Sequence, residues 1–337
     1  MIAVGVDTHK QCHVAVALDQ VGQVLGELSV EATMFGYAQL QAWAAGLGEE
    51  VVFGIEGVGS YGAGLAEYLL GAGQRVLEVE RPRRRDRRSG KSDAIDALAA
   101  AKRVLAGDGL STPRAGGTRQ AIAVLLATYR SLMAERTRAL NQLQALHTSA
   151  PIAVRQRIGE GSGETLARRL VRMRLRPEAS VEERVFFGVL RDLAKRSQTL
   201  SSEARRYERE LADLVRALDP TLLNESGIGP ISAGKLLASD PARFKSEGAF
   251  ARCNGTAPLP ASSGKTVRHR LNRGGDRQVN NAIHTIALSR SIHDPDTRAF
   301  LDRRISQGKT KREAMRSLKR HLSRRLYKRL IQAPLTS

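Results

Sequence analysis

Four carboxylates occupy positions from which a folded chain could gather them. Asp7 ends the first apolar run of the sequence, and Glu56 ends a later one. Asp93 and Asp96 are spaced i, i+3, which places both on one face of a helix. A bare carboxylate on a central strand is costly to bury unless a cation or a hydrogen-bond donor meets it. The acids therefore indicate a cation site, and the alternatives are a turn aspartate at residue 7 and four separately solvated acids.

Such a group of acids suits phosphoryl transfer on nucleic acid. Two-metal catalysis needs oxygen ligands that hold Mg²⁺ ions about 3.5–4 Å apart on either side of the attacked phosphate. Because the combined charge of four carboxylates would be intolerable without cations, clustering of these acids and binding of metal form a single hypothesis.

A second candidate for chemistry is the loop 258–265, which carries Ser262 and Ser263 before Gly264. A serine is a poor nucleophile unless a base, a metal or a polarised phosphate activates it. Basic side chains that suit a nucleic-acid backbone follow at once, namely Lys265, Arg268, His269, Arg270, Arg273 and Arg277. The alternative for this loop is an ordinary flexible turn.

The elements that would position the acids alternate along residues 1–113. Apolar, β-branched runs predict strands at 2–7, 12–19, 23–30, 51–56 and 75–80, and helical spacing predicts helices at about 35–47, 61–72 and 92–106. The first three strands would form an antiparallel meander, with parallel strands beside it. These patterns predict a mixed five-stranded sheet, followed by an arginine-rich loop at 81–88 that could contact phosphate.

The middle of the chain, residues 114–219, reads as helical after a linker at 113–117. Apolar residues at three-and-four spacing predict long helices at 118–147 and 181–218, with a basic segment between them. Two such helices would form an antiparallel hairpin, and the same pattern would equally support dimerisation.

The last part, residues 220–337, is mainly helical and strongly basic. Residues 223–233 resemble the turn of a helix-hairpin-helix, whose glycines allow close approach to a phosphate. A short helix is predicted at 244–253, and longer ones at about 277–291 and 297–330. Two other glycine patterns are weaker indications of phosphate binding. The G-x-G-x-x-G at 57–62 is typical of a dinucleotide site, but the charge of Glu56 just before it would face the pyrophosphate. The G-x-x-x-x-G-K at 229–235 is typical of a P-loop, but it lacks the Ser or Thr that should follow and bind magnesium.

Composition favours a folded protein with a polyanionic partner. The chain has 337 residues, 54 Lys and Arg against 34 Asp and Glu, a formal charge of +20 and 42% hydrophobic residues. No apolar run reaches membrane-spanning length and no signal peptide is recognisable, so a cytoplasmic protein without membrane association is expected. Cys12 and Cys253 are predicted to be reduced core residues.

Five motifs, taken in order, resemble the IS110-family transposases, also called DEDD recombinases and related to the Piv invertases. The motifs are Gly5 to Lys10, Gly54 to Gly57, Lys91 to Ala97, Gly227 to Pro230, and Ser262 to Lys265 with Arg273 to Gly275. The resemblance spans nearly the whole chain. It implies an RNase H-like, RuvC-type domain at 1–113, a coiled-coil segment at 114–219 and a C-terminal transposase domain at 220–337.

The resemblance also implies roles for particular residues. The family's acidic tetrad falls on Asp7, Glu56, Asp93 and Asp96 as Mg²⁺ ligands, and its essential serine falls on Ser263, with Ser262 as the second choice. The implied reaction is DNA strand exchange between donor and target through a covalent phosphoserine. Implied partners are a bridging non-coding RNA, further copies of the chain in a dimer or tetramer, and the nucleoid.

Three other functions stay open on sequence alone. A RuvC-like junction nuclease would use only the acids, with the serine as a turn residue. A nucleic-acid-binding protein without catalysis would use only the positive charge. An actin-like ATP-binding module also carries an Asp-containing turn on its first strand, and measurable nucleotide binding would favour it.

Overall fold

The computed structural model describes residues 1–79, 92–107, 110–113, 117–174, 176, 178–260, 269–270, 272 and 275–332. Its internal contacts divide the chain into two compact units, residues 1–117 and residues 118–337. Buried apolar clusters lie within each unit, so each has a core of its own. The finer division into three domains stays a prediction.

A mixed sheet forms the centre of the first unit, in the order β3-β2-β1-β4-β5-β6. Its strands are β1 (Ile2–Thr8), β2 (Cys12–Leu18), β3 (Val24–Glu31), β4 (Val51–Glu56), β5 (Arg75–Val79) and β6 (Leu110–Ser111). The predicted meander of β1, β2 and β3 is confirmed, as are the parallel strands β4 and β5. The predicted count of five is wrong, because β6 pairs with β5 at the edge. A two-residue strand has no alternating pattern to reveal it.

Helices cover both faces of this sheet: α1 (Met34–Leu47), α2 (Ala63–Gly71) and α3 (Asp93–Ala106). Strand side chains alternate between the faces. Val4 and Val6 of β1 belong to the core that includes α1 and α2, whereas Ala3 belongs to the core that includes α3. Asp7 follows Ala3 and Gly5 in this alternation, so β1 presents it on the side of α3.

Two paired glycines let α3 lie directly on the sheet. Gly5 of β1 and Gly54 of β4 stand opposite each other in register. A Cβ atom on Gly5 would overlap the backbone of Ala97 and Ala101, and one on Gly54 would overlap the side chain of Val104. The absence of side chains at these two positions therefore sets how closely α3 approaches β1 and β4.

The second unit begins with the predicted helical hairpin. Its elements are α4 (Thr118–Ser149), α5 (Ile152–Ile158), α6 (Gly163–Arg172) and α7 (Val181–Leu218). Near the start of α4, Ile122 shares a buried cluster with Val215 of α7, whereas Leu143, further along α4, shares one with Leu190. This order confirms that α4 and α7 run antiparallel, as their apolar spacing predicts.

The remainder of the second unit is mainly helical, as predicted. It comprises α8 (Pro230–Ala238), α9 (Glu247–Cys253), the strand pair β7 (Leu259–Pro260) and β8 (His269–Arg270), α10 (Arg277–His293), α11 (Pro295–Ser306) and α12 (Lys311–Gln332). The single helix predicted at 297–330 is wrong. Gly308 has φ +85°, and Thr310 starts α12 by accepting a hydrogen bond from the Glu313 amide while its own amide donates to the Glu313 carboxylate.

The expected core position of the cysteines is also wrong. Cys253, at the end of α9, is exposed, and Cys12, at the start of β2, is only partly buried. Among the described residues, no helix combines the length and the apolarity that crossing a membrane requires.

Candidate active site

Asp7 and Glu56 lie at the ends of neighbouring parallel strands. β1 and β4 pair up to Val6 and Ile55, and each acid is the next residue of its strand. Both residues are buried, with 7% and 8% of their surface exposed. Thr8 ties the two strand ends together, because its hydroxyl donates to the Glu56 carbonyl at 2.8 Å.

Asp93 and Asp96 lie in the first turn of α3. The helix begins after Ser92, whose hydroxyl accepts a hydrogen bond from the Ile95 amide at 3.3 Å. Acidic residues in a first turn are favourable, because the helix N-terminus carries a partial positive charge. The predicted helix start, and with it the i, i+3 pair on one face, is therefore present.

His9 joins the strand acid to the helix acid. Its Nε2 atom lies 3.3 Å from Oδ2 of Asp7 and 3.0 Å from Oδ1 of Asp93. In the described part of the chain, these three residues form a group whose ligand atoms all lie within 4.8 Å of one another. The structure thus brings Asp7 and Asp93 together, whereas the carboxylate oxygens of Glu56 and Asp96 lie outside this tight group.

Sequence reasoning missed the place of His9 in the acidic site. The usable signal is its position two residues after Asp7, just past the end of β1. The short connection to β2 folds back there, since the His9 amide donates to the Cys12 carbonyl at 3.0 Å.

The electrostatics of the site call for a cation. Burial raises the pKa of Asp7 above its usual range; His9 acts in the opposite direction, and the negative charges of Asp96 and Asp93 raise this pKa further. An ionised Asp7 is therefore costly in the folded protein until positive charge arrives.

The donor set fits a divalent cation. Two carboxylate oxygens and one imidazole nitrogen converge in the group of Asp7, His9 and Asp93. Oxygen ligands suit Mg²⁺, and an imidazole nitrogen also suits ions further along the first transition row. Chemically, such a site can neutralise charge on a phosphate while the carboxylates keep the cation in place.

The predicted nucleophile and most of the predicted basic contacts fall outside the described residues: Ser262, Ser263, Lys265, Arg268 and Arg273. Arg270 belongs to β8, and Arg277 is the first residue of α10, where it lines a cavity. The arginine-rich loop at 81–88 also lies outside the described residues. The roles of all these side chains stay predictions.

The first unit is a mixed sheet with acids at the ends of two parallel strands, and the helix packed on it carries two further acids. These features define an α/β protein with an acidic site that suits a divalent cation. Residues 4–150 match a family model described as DEDD transposase of the IS110 type, and residues 220–302 match the transposase family IS116/IS110/IS902. The chain belongs to the IS110 family of transposases.

One relative of this chain is a Streptomyces coelicolor protein described as an insertion element IS110 uncharacterized 43.6 kDa protein. The two are 31% identical over 137 residues, which are 39% of this chain and 34% of the relative. The matched region thus spans about a third of the relative's length.

Proposed function

We propose that this chain is the transposase of an IS110-like insertion element and exchanges DNA strands between a donor and a target site. The observation that carries the proposal is the meeting of Asp7 and Asp93 at the strand ends, with Glu56 and Asp96 beside them. The family match and the charge of +20 support DNA as the substrate. The first unit would be RNase H-like, with the acids as its catalytic centre.

In this proposal, Asp7 and Asp93 bind a divalent cation, Mg²⁺ by preference, with Glu56 and Asp96 as further carboxylates. When bound, the cation supplies Lewis-acid stabilisation of charge at the attacked phosphate. His9 bridges Asp7 and Asp93, so it keeps the two acids in place when no cation neutralises them. The burial of Asp7 and Glu56 lowers the local dielectric, which strengthens every charge interaction in the site.

Strand exchange would proceed through a covalent phosphoserine. The Ser263 hydroxyl, or that of Ser262, forms an ester bond to the DNA phosphorus, and the sugar oxygen leaves. Lys265, Arg268, Arg270, Arg273 and Arg277 would hold the DNA backbone. A bridging RNA would select the sites, and two or four copies of the chain would assemble, with the coiled-coil helices as a dimer contact.

The test is an adduct assay. The purified protein is incubated with its element's RNA, a DNA junction and Mg²⁺, and the products are denatured. We expect a DNA adduct that survives denaturation and that disappears with Asp7→Asn and with Ser263→Ala. The matched control, Ser262→Ala, decides between the two adjacent serines.

A junction nuclease is the second candidate, because the acids and His9 alone have the donor set that metal-assisted hydrolysis of a phosphodiester needs. Cleaved ends without an adduct, unchanged when both serines are replaced, would overturn the phosphoserine step and leave this nuclease. Tight DNA binding that is indifferent to Asp7→Asn, with no cleavage at all, would overturn both enzymes.

A further inference from the structure

A cavity of about 290 Å³ in the second unit lies outside the acidic site. Four asparagines and two glycines contribute to its wall, and its charged or titratable lining consists of Arg277, His284 and Lys319. No described carboxylate lines it. A wall of amides and cations without acids is the composition of an anion site.

Lys319 is the unusual member of this lining. It lies on α12, only 9% of its surface is exposed, and its Nζ atom donates to Oδ1 of Asn280 at 2.6 Å. Within the described residues, no carboxylate lies within ion-pair distance of it. Burial lowers the pKa of Lys319, as expected for an ammonium group without a counter-charge. An amide oxygen neutralises no charge, so this lysine is costly to bury as it stands.

The groups around Lys319 are held in place before any ligand arrives. The side-chain amide of Asn280 also donates to the backbone carbonyl of Asn254 at 2.6 Å, and the side-chain amide of Asn254 donates to the Ser323 hydroxyl at 2.9 Å. On the other side, Lys235 donates to Oδ1 of Asn281 at 2.8 Å. Fixed side chains lose little entropy on binding, which is the property that a preorganised site needs.

Backbone forms part of the wall, because two glycine-containing turns meet there. A Cβ atom on Gly275 would overlap the backbone of Gly255, and Gly255 itself has φ +71°. Side chains at these positions would close the turns off from each other. In sequence, these two glycines lie on either side of the segment that carries Ser262 and Ser263.

We propose that this cavity binds one phosphate group of a DNA backbone, with Lys319 as its buried cation and with Arg277 and Asn281 at its lining. The assignment to DNA rests on the proposed function. A tetrahedral oxyanion accepts hydrogen bonds on every side, which suits converging ammonium, guanidinium and amide donors. Lys319 would then meet the negative charge that the described part of the protein does not supply.

The first experiment uses inorganic phosphate with the full-length protein. Thermal unfolding is followed while phosphate replaces chloride at constant ionic strength. We expect a saturable rise in Tm that is absent in Lys319→Met and in Asn281→Asp. Asn281→Asp keeps the oxygen that accepts from Lys235, but it replaces an amide donor with a negative charge that repels phosphate. It therefore abolishes the site without removing a buried group. Lys328→Met is the matched control, because Lys328 is exposed on the same helix, and it should retain the rise.

An equal rise in all four proteins, or no rise, would overturn the site and leave an adventitious ion only. The second experiment identifies the source of the phosphate. Saturating duplex DNA should remove the phosphate response, and Lys319→Met should weaken DNA binding about tenfold, the loss of one charge-assisted hydrogen bond. For Lys319→Met, the slope of log affinity for DNA against log salt concentration should be smaller in magnitude by about 0.9, which corresponds to the loss of one phosphate contact.

Competition by single-stranded RNA but not by DNA, or by neither, would overturn the assignment to DNA. These binding measurements require no strand exchange. If no adduct forms but phosphate still binds, the proposed function alone is contradicted. If the adduct forms but phosphate does not bind, the phosphate site alone is contradicted.

Discussion

The acidic site of the first unit and the amide-lined cavity of the second carry opposite charges but share one physical problem. Asp7 is buried with other acids close by, and Lys319 is buried with an amide as its partner. In each case burial shifts the pKa toward the neutral form. The comparison teaches that each unit keeps a costly charge, which a ligand of opposite sign would relieve: a cation in one and a phosphate in the other.

The two regions differ in how they are built. The acids stand at strand ends and in a first helical turn, where regular structure fixes their positions. The cavity is assembled from turns and from the faces of separate helices. The first arrangement depends on how closely α3 approaches the sheet, and the second on a network of asparagines.

The largest expected effect comes from Gly5→Ala. The new methyl group would meet the backbone of α3, so we expect a loss of about 3 kcal/mol or more of unfolding free energy. The control is Gly46→Ala in α1, where nothing lies within 4 Å, and Ala there should gain about 1 kcal/mol. Denaturant unfolding measures both. Equal stability of the two variants would show that α3 does not rest on this glycine.

Next in size is the response to a divalent cation. Mg²⁺ or Mn²⁺ at about 100 times its Kd should stabilise the protein by about 2.7 kcal/mol. Asp7→Asn should abolish this response. Asp19→Asn should keep it, because Asp19 serves a turn by accepting from the amides of Val21 and Gln23. An undiminished response in Asp7→Asn would remove Asp7 from the cation site.

An ordinary ion pair gives the reference for both sites. Glu247 accepts from Arg320, which lowers the pKa of Glu247, and Arg324 adds to this effect. Glu247→Gln should cost about 1 kcal/mol above the unfolded-state pKa. The cost should vanish as pH falls through the lowered pKa of the folded state, because wild type then loses the same charge. A cost that persists in acid would indicate a packing role.

The smallest effect is the pH dependence of Lys319→Met without phosphate. At neutral pH the buried ammonium penalises the wild type, but Met leaves Asn280 without its donor, so the two proteins should be close in stability. As pH rises through the lowered pKa of Lys319, the buried ammonium group loses its proton and the cost of burying a charge disappears. The wild type therefore gains stability relative to the variant. Parallel pH profiles would mean that Lys319 is not penalised by burial, which would break the comparison with Asp7.

Much of the acidic site could be predicted from sequence. Continuous apolar runs ending in Asp7 and Glu56 indicate buried strands, and Ser92 before two acids at i, i+3 marks a helix start. His9 was missed, because only the fold-back after β1 brings its imidazole to Asp93. The edge strand β6 is too short for any pattern.

The cavity had weaker signals. Lys319 lies four residues before Ser323 and eight before Tyr327, both buried, so helical spacing places it on the inner face of α12. Because α12 carries many other basic residues, the inward position of Lys319 does not stand out in the sequence. The convergence of α10, α12 and the glycine turns depends on tertiary packing, which sequence spacing does not encode.

The pairing of Gly5 with Gly54 bears on whether a genomic copy of such an element encodes a functional protein. Inactivated copies accumulate substitutions, and intact acids are the natural mark of a working one. A single methyl group at residue 5 would overlap the backbone of α3 and push this helix away from the sheet. A copy can therefore keep all four acids and still encode an inactive protein. The two glycines, which are buried beneath α3 and carry no functional group, belong among the first positions to inspect.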